Sequence, residues 1–266
     1  MNADDEPLSS PVCYAHEVDP IYMGLEHLHP FGPNIWSAEG PVVSFLGFPY
    51  STRMAVVRLS GGELFIWSPI ALSDGLRREI DALGVVRHLV SPNALHHLFL
   101  AEWKSTYPAA RLYASPNLRR KRKDLAFDAE LSDRPEAAWA SDVEQVIVRG
   151  SPFLTEVVFF HRQSATALFG DLIQNFRPDW FKGWRSVLAR LDGIVAPHPG
   201  APREWRASFI RRRLARSALT RIVNWPSERV LIAHGDCVDT GGVLSFGVPS
   251  PGSCDNTSSP FSTAAL

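Results

Sequence analysis

What most restricts the fold of this chain is that its short β-rich runs pair in two different ways. Residues 54–59 and 63–67 are runs of strand formers joined across a turn that contains Gly61 and Gly62, the pattern of an antiparallel hairpin. Ser73 then caps a predicted helix with Leu76, Ile80 and Leu83 on one face. Gly84 is placed to end it in the left-handed conformation, and 87–90 resumes as a strand, which makes a parallel crossover. Residues 93–107 read as a loop and helix stopped by Pro108, and 111–114 as a further strand, a second crossover. The polar stretch 121–140 is expected to cross the surface before 145–148 opens a second set of strands. In that set, 156–161 and 165–171 form another hairpin. Residues 179–221 are helical in period, with Trp184, Val187, Leu188 and Leu191, then Trp205, Phe209 and Leu214 spaced for one face, and 229–233 returns as a buried strand. Two units of strands followed by helices, mixing hairpins with crossovers, predict a layered α/β sandwich rather than a doubly wound sheet.

The ends differ from this pattern. Residues 1–35 hold Pro7, Pro11, Pro20, Pro30 and Pro33 without a sustained period and read as an irregular arm. Residues 36–246 form the expected single domain, and 247–266, rich in Ser, Pro, Gly and Thr, are expected to be a flexible tail. With 266 residues, 45% of them hydrophobic, the chain can bury a sizeable core. Its 27 Lys and Arg against 28 Asp and Glu give a net charge of −1, so no overall field attracts nucleic acid or an anionic membrane, and any such binding would have to be local. Cys13, Cys237 and Cys254 show no paired spacing, the first residues are acidic where a secretory leader is basic and apolar, and no long apolar run occurs. The expectation is a soluble cytoplasmic protein without nucleic-acid or membrane partners.

Groups able to bind metal stand at or just beyond predicted strand ends: His96 and His97 after Val90, His161 with Asp171, and His234. Ligands from several strand ends can converge on one ion without short sequence spacing, and imidazole with carboxylate suits zinc, iron or manganese. The bland alternative is that isolated buried histidines only form hydrogen bonds.

Five segments resemble the DUF4336 proteins of the metallo-β-lactamase superfamily. They are residues 64–70, 89–100, 107–116, 156–161 with 166–171, and 233–235, within a similarity that spans roughly 30–240. The resemblance implies a four-layer αββα sandwich with a metal site along one edge. It also brings a departure. With His97 laid on the last histidine of the superfamily's His-x-His-x-Asp-His motif, its first two histidines fall on Pro92 and Ala94 and its aspartate on His96. His161, Asp171 and His234 then take the positions of the later histidine, the bridging aspartate and the last histidine. One ion position keeps only His161 and Asp171, whereas the other keeps His97, His234, Asp171 and His96. Because three or four protein ligands hold zinc and two rarely do, the expectation is a single divalent ion, zinc first, with His161 a further ligand or a partner behind the ligands.

Such a site implies a metal-dependent hydrolase of a small ester, lactone, amide or thioester, in which the ion brings the pKa of its water down to about 7. Asp171 and His96 are the expected catalytic groups, His96 as a proton acceptor. The alternative is a non-hydrolytic protein of the same fold that binds a ligand or a partner. Asn93 and Asp236 can reach substrate or ligands, although each reads first as a turn former. The basic run 119–123 has acidic neighbours and no interleaved aromatics, so it reads as a solvated helix face. The eight tryptophans are assigned to packing.

Overall fold

The computed structural model describes residues 27–196 and 200–238. The 247–266 tail and most of the N-terminal arm lie outside the described residues. Within the arm, His29–Gly32 form β1 rather than irregular chain. The first sheet continues with β2 (Ile35–Phe45), β3 (Phe48–Arg58), β4 (Glu63–Trp67), β5 (Val85–Val90), β6 (Arg111–Ala114) and β7 (Ala129–Glu130), with the strands adjacent in chain order. β1 to β4 are antiparallel neighbours, and β4 to β7 run parallel. The second sheet holds β8 (Val143–Val148), β9 (Glu156–His161), β10 (Thr166–Phe169) and β11 (Arg229–Ile232) in the order β11-β10-β9-β8, with only β10 and β11 parallel.

The strand pattern explains the layers. Phe65 and Trp67 of β4 face the second sheet, where they meet Phe159 and Leu168, while Leu64 and Ile66 face outwards onto helices. A strand with both faces apolar must be covered on both sides, and period-2 alternation assigns each residue to its side. The outer face of the first sheet is covered by α1 (Asp74–Leu83), α2 (Leu100–Thr106) and α3 (Leu118–Lys121), which bury Leu76, Ile80, Trp103 and Leu118. The outer face of the second is covered by α6 (Arg212–Val223), through Ala215, Leu219 and Ile222, and by Phe209 after α5 (Arg203–Ser208). The result is the expected αββα sandwich.

Both predicted crossovers and both hairpins are present, and the Ser73 hydroxyl accepts from the Leu76 N–H as the cap of α1. Three local expectations need correction. Gly84 ends α1 at φ +157° and ψ −166°, not in the left-handed helical region, because its Cα packs against the Gly62 carbonyl, where a Cβ would sit 2.6 Å away. The 179–221 stretch is broken into α4 (Trp184–Asp192), α5 and α6, and α4 turns its large apolar side chains outwards. Trp184 is accordingly exposed and not part of a core. In the basic run, Arg122 is half-buried and reaches back to the His97 carbonyl at 2.7 Å, so only its neighbours form a solvated face.

Candidate metal centre

One edge of the sandwich collects the C-terminal ends of β4, β5, β10 and β11 and the first residues of β3 and β9. A main-chain bridge between Asn93 and Glu156 and the Val157 N–H bond to the Pro92 carbonyl tie the loop after β5 to β9 across the two sheets. On this edge, Asp171 is buried between two imidazoles. Its Oδ2 lies 3.2 Å from His96 Nε2 and its Oδ1 3.3 Å from His234 Nε2. Ligand atoms of these three residues all fall within 4.8 Å of one another, a cluster able to hold a metal ion.

Each member is held from behind. The Nδ1 of His234 lies 2.6 Å from the Ser51 carbonyl, which only accepts, so Nδ1 carries a proton and the ring turns its Nε2 towards Asp171. Arg53, a buried guanidinium of β3, donates to the Ile232 and Gly235 carbonyls on either side of that histidine and to Glu39. The Nδ1 of His96 meets the Ser68 hydroxyl at 2.7 Å, and Ser68 takes φ +52° at the end of β4 to offer it. Positive φ in a non-glycine residue is strained backbone of the kind found where a side chain must be aimed.

The Asn93 amide joins two carboxylates. Its Nδ2 donates to Asp171 Oδ2 at 2.7 Å and to Glu156 Oε2 at 3.0 Å, while its Oδ1 accepts from the Leu95 and His96 N–H groups. Those two acceptor bonds fix which end of the amide points at the carboxylates. Asn93 is therefore the turn former its sequence suggests and also the anchor of Asp171. Glu156 in turn accepts from the N–H groups of Gly170, Asp171 and Leu172, which shapes the loop carrying the aspartate. Gly170 admits this crowding, since a Cβ there would lie 3.0 Å from Asn93 Nδ2 and 3.1 Å from Glu156 Oε2.

The electrostatics follow from burial and charge. Burial and the neighbouring Asp171 push the Glu156 carboxyl up to about 7, against its amide donors. Burial also opposes ionisation of Asp171, but the charges and hydrogen bonds of His96 and His234 outweigh it and hold this carboxyl well below the usual carboxylate range. The Tyr50 ring stands edge-on to His234 at 5.2 Å, and burial with the Asp171 charge raises its hydroxyl far above the ordinary value.

Of the residues predicted from sequence, the structure brings together His96, Asp171 and His234. His97 turns the other way: its Nδ1 faces the Arg122 guanidinium at 3.2 Å, and burial with the Lys121 and Arg122 charges lowers its pKa to about 4. His161 sits at the far end of β9, roughly 16 Å along the strand from Glu156 at about 3.3 Å per residue. There it bonds the Ser164 hydroxyl at 2.7 Å. Asp236 is exposed, and its main chain exchanges hydrogen bonds with Asn175. Glu156, Ser68, Ser51 and Arg53 were not singled out from the sequence. Glu156 did carry a signal, as the charged head of an otherwise apolar strand, whereas the others act through a backbone or hydroxyl that no spacing reveals.

Residues 34–182 match the family described as "Domain of unknown function (DUF4336)". The chain belongs to that family. The match includes Asn93, His96, Glu156 and Asp171 and stops short of β11 and His234. Among solved structures, the DIM-1 metallo-beta-lactamase is similar at 14% identity and a TM-score of 0.55, over 80% of this chain and 91% of that one. A metallo-beta-lactamase from Hirschia baltica is similar at 14% identity and a TM-score of 0.52, over 80% of this chain and 92% of that one. The Flv1 flavodiiron core from a Synechocystis species is similar at 12% identity and a TM-score of 0.52, over 79% of this chain and 56% of that one. These likenesses establish the metallo-β-lactamase fold. A comparison with curated proteins finds no match.

Proposed function

We propose that this DUF4336 protein holds a single divalent ion on His96, Asp171 and His234 and uses it to hydrolyse a small ester, lactone, amide or thioester. The observation that carries this reading is the buried Nε2 of His96, which has no hydrogen-bond partner although it stands 3.2 Å from a carboxylate oxygen. Together with His234 Nε2, it faces the buried Asp171 carboxylate, and a cation between the three would take both nitrogens and the carboxylate as ligands. Two imidazoles and a carboxylate are a donor set suited to zinc, with iron or manganese also accommodated.

When bound, the ion supplies Lewis acidity, acidifying water and polarising a carbonyl oxygen. The chain's own groups do the rest. Ser51 and Ser68 orient the two imidazoles, and the Asn93 amide holds one Asp171 oxygen so that the carboxylate cannot rotate away. His96 Nε2 and the Asp171 carboxylate would both hold the ion, so their first role would be as ligands rather than as proton acceptors. His97 and His161 take no part in this reading, since His97 faces Arg122 and His161 stands at the far end of β9.

A second reading, ligand or partner binding without hydrolysis, is favoured by one observation. The Asn93 amide already satisfies Asp171 Oδ2, and one protonated imidazole would complete its neutralisation without an ion. Metal analysis by mass spectrometry on protein purified without chelator or a metal-affinity tag separates the two. Close to one equivalent of a divalent metal, lost in Asp171→Ala together with turnover of a generic ester, supports the hydrolase. No metal and no uptake on reconstitution sinks it and leaves the binding role.

A further inference from the structure

α4 is amphipathic in the wrong direction for a helix of an isolated globule. Trp184, Val187, Leu188 and Leu191 fall within an arc of about 100° on the helix wheel. All four are between 46% and 58% exposed, while Ala189, on the opposite side, is the residue buried against Phe176 and Phe181. The β2–β3 hairpin extends the patch: the Gly47 carbonyl accepts from Arg185 Nε at 2.8 Å, Phe48 packs on Trp184, and Leu46 at the tip is 78% exposed. A contiguous apolar patch of this kind on a soluble domain marks a contact surface.

Charge identifies what it contacts. Arg185 and Arg190 flank the stripe on its two sides, and Lys182 precedes it. From Arg177 to Arg216 the chain carries ten Lys and Arg against three Asp and Glu, a local charge of +7 in a protein whose net charge is −1. The same segment holds six of the ten large apolar side chains that are exposed among the described residues, Ile210 and Leu214 being the other two. We infer that α4 and the tip of the β2–β3 hairpin form a docking surface for an anionic lipid membrane, with the aliphatic and Trp184 side chains entering the headgroup boundary and the flanking cations on lipid phosphates.

Other occupants fit less well. A second copy paired through this stripe about a two-fold axis would set arginine against arginine, and the nearby Asp192 already accepts the Arg203 N–H. A nucleic acid would match the charge and could stack one base on Trp184, but it leaves Val187, Leu188 and Leu191 uncovered. The surface departs from the expectation of no membrane partner because that expectation rested on net charge, and the field here is local.

Co-sedimentation of the full chain with phosphatidylcholine vesicles, with and without phosphatidylglycerol, tests the inference. Binding is expected to the anionic vesicles only and to weaken with added salt. It should fall at least about tenfold for Leu188→Glu/Leu191→Glu and for Lys182→Glu/Arg190→Glu, both with unchanged far-ultraviolet circular dichroism. A blue shift in fluorescence on anionic vesicles, lost in Trp184→Phe, is the second expected readout. The inference is overturned by no binding to anionic vesicles, by binding that the Leu188→Glu/Leu191→Glu protein retains in full, or by a solution dimer that this substitution dissolves. The measurement needs neither metal nor turnover, so its failure and that of the hydrolase reading are distinguishable.

Discussion

At the scale of single residues, the site is an arrangement of partners around one buried carboxylate, and the partners differ in what their removal costs. Asn93→Ala leaves both Glu156 and Asp171 without their shared donor in a dry environment, so a loss of about 2–4 kcal/mol in unfolding free energy is expected, measurable by urea denaturation. Asn93→Asp should be worse, because it places a third carboxylate against two others. A different test falls on His161, far from the site. Burial lowers its pKa from 6.5 to about 4, so it is neutral in the fold at pH values where the unfolded chain protonates it. Its folded pKa lies below the unfolded one; the unfolded state therefore binds the extra proton, and stability is lost as pH falls from about 6.5 towards 4. The loss is at most about 3 kcal/mol for this group. Urea titrations at neutral and acidic pH should show a shallower acid loss in His161→Leu than in the parent, and equal losses in the two proteins would refute it.

At the scale of elements, what positions the centre is the set of short turns that leave each strand at one edge. Gly235 is the tightest of these. It takes φ +98°, and a Cβ there would lie 2.1 Å from the Asn175 carbonyl, so the turn after β11 and the loop after β10 can meet only through a glycine. Gly235→Ala must displace backbone on one side or the other. We expect it to lower stability by about 2 kcal/mol or more and to weaken metal uptake, because His234 moves with the turn. Calorimetric titration that shows unchanged metal affinity would place His234 outside the centre. These elements also show what a sequence can display. The hairpins, the crossovers and the Ser73 cap were readable because period-2 alternation and turn residues are local properties. His96, Asp171 and His234 were reachable because each follows a strand. The roles of Asn93 and Glu156 were not, since an amide that bridges two carboxylates depends on two loops meeting across sheets. The superfamily overlay also pointed to His97 and His161, which the structure places against Arg122 and at the far end of β9, away from the cluster. α4 shows a related limit: periodicity gives the apolar face of a helix but not the direction in which that face points, so Trp184 is exposed where the sequence assigns it to packing.

At the scale of the whole molecule, the centre joins the two sheets, so occupancy and global stability are linked. His96 stands after β5 of the first sheet, Asp171 and His234 after β10 and β11 of the second, and Arg53 reaches from β3 to the carbonyls beside His234. An ion that binds these three groups only in the folded chain stabilises every element at once, by about 2.7 kcal/mol at a hundredfold excess over the dissociation constant. For a domain of this size, that corresponds to a rise of about 5–10 °C in thermal midpoint. The expected result is a midpoint that climbs with added zinc in the parent, falls back on chelation, and does not respond in Asp171→Ala, where the bridging anion is gone. The His97→Ala protein supplies the contrast. Its side chain faces Arg122 and not the cluster, so it should show the same metal-dependent rise as the parent. A His97→Ala protein that has lost the rise, or an Asp171→Ala protein that keeps it, would show that the ion sits elsewhere and that the His96, Asp171 and His234 cluster is neutralised by protons alone.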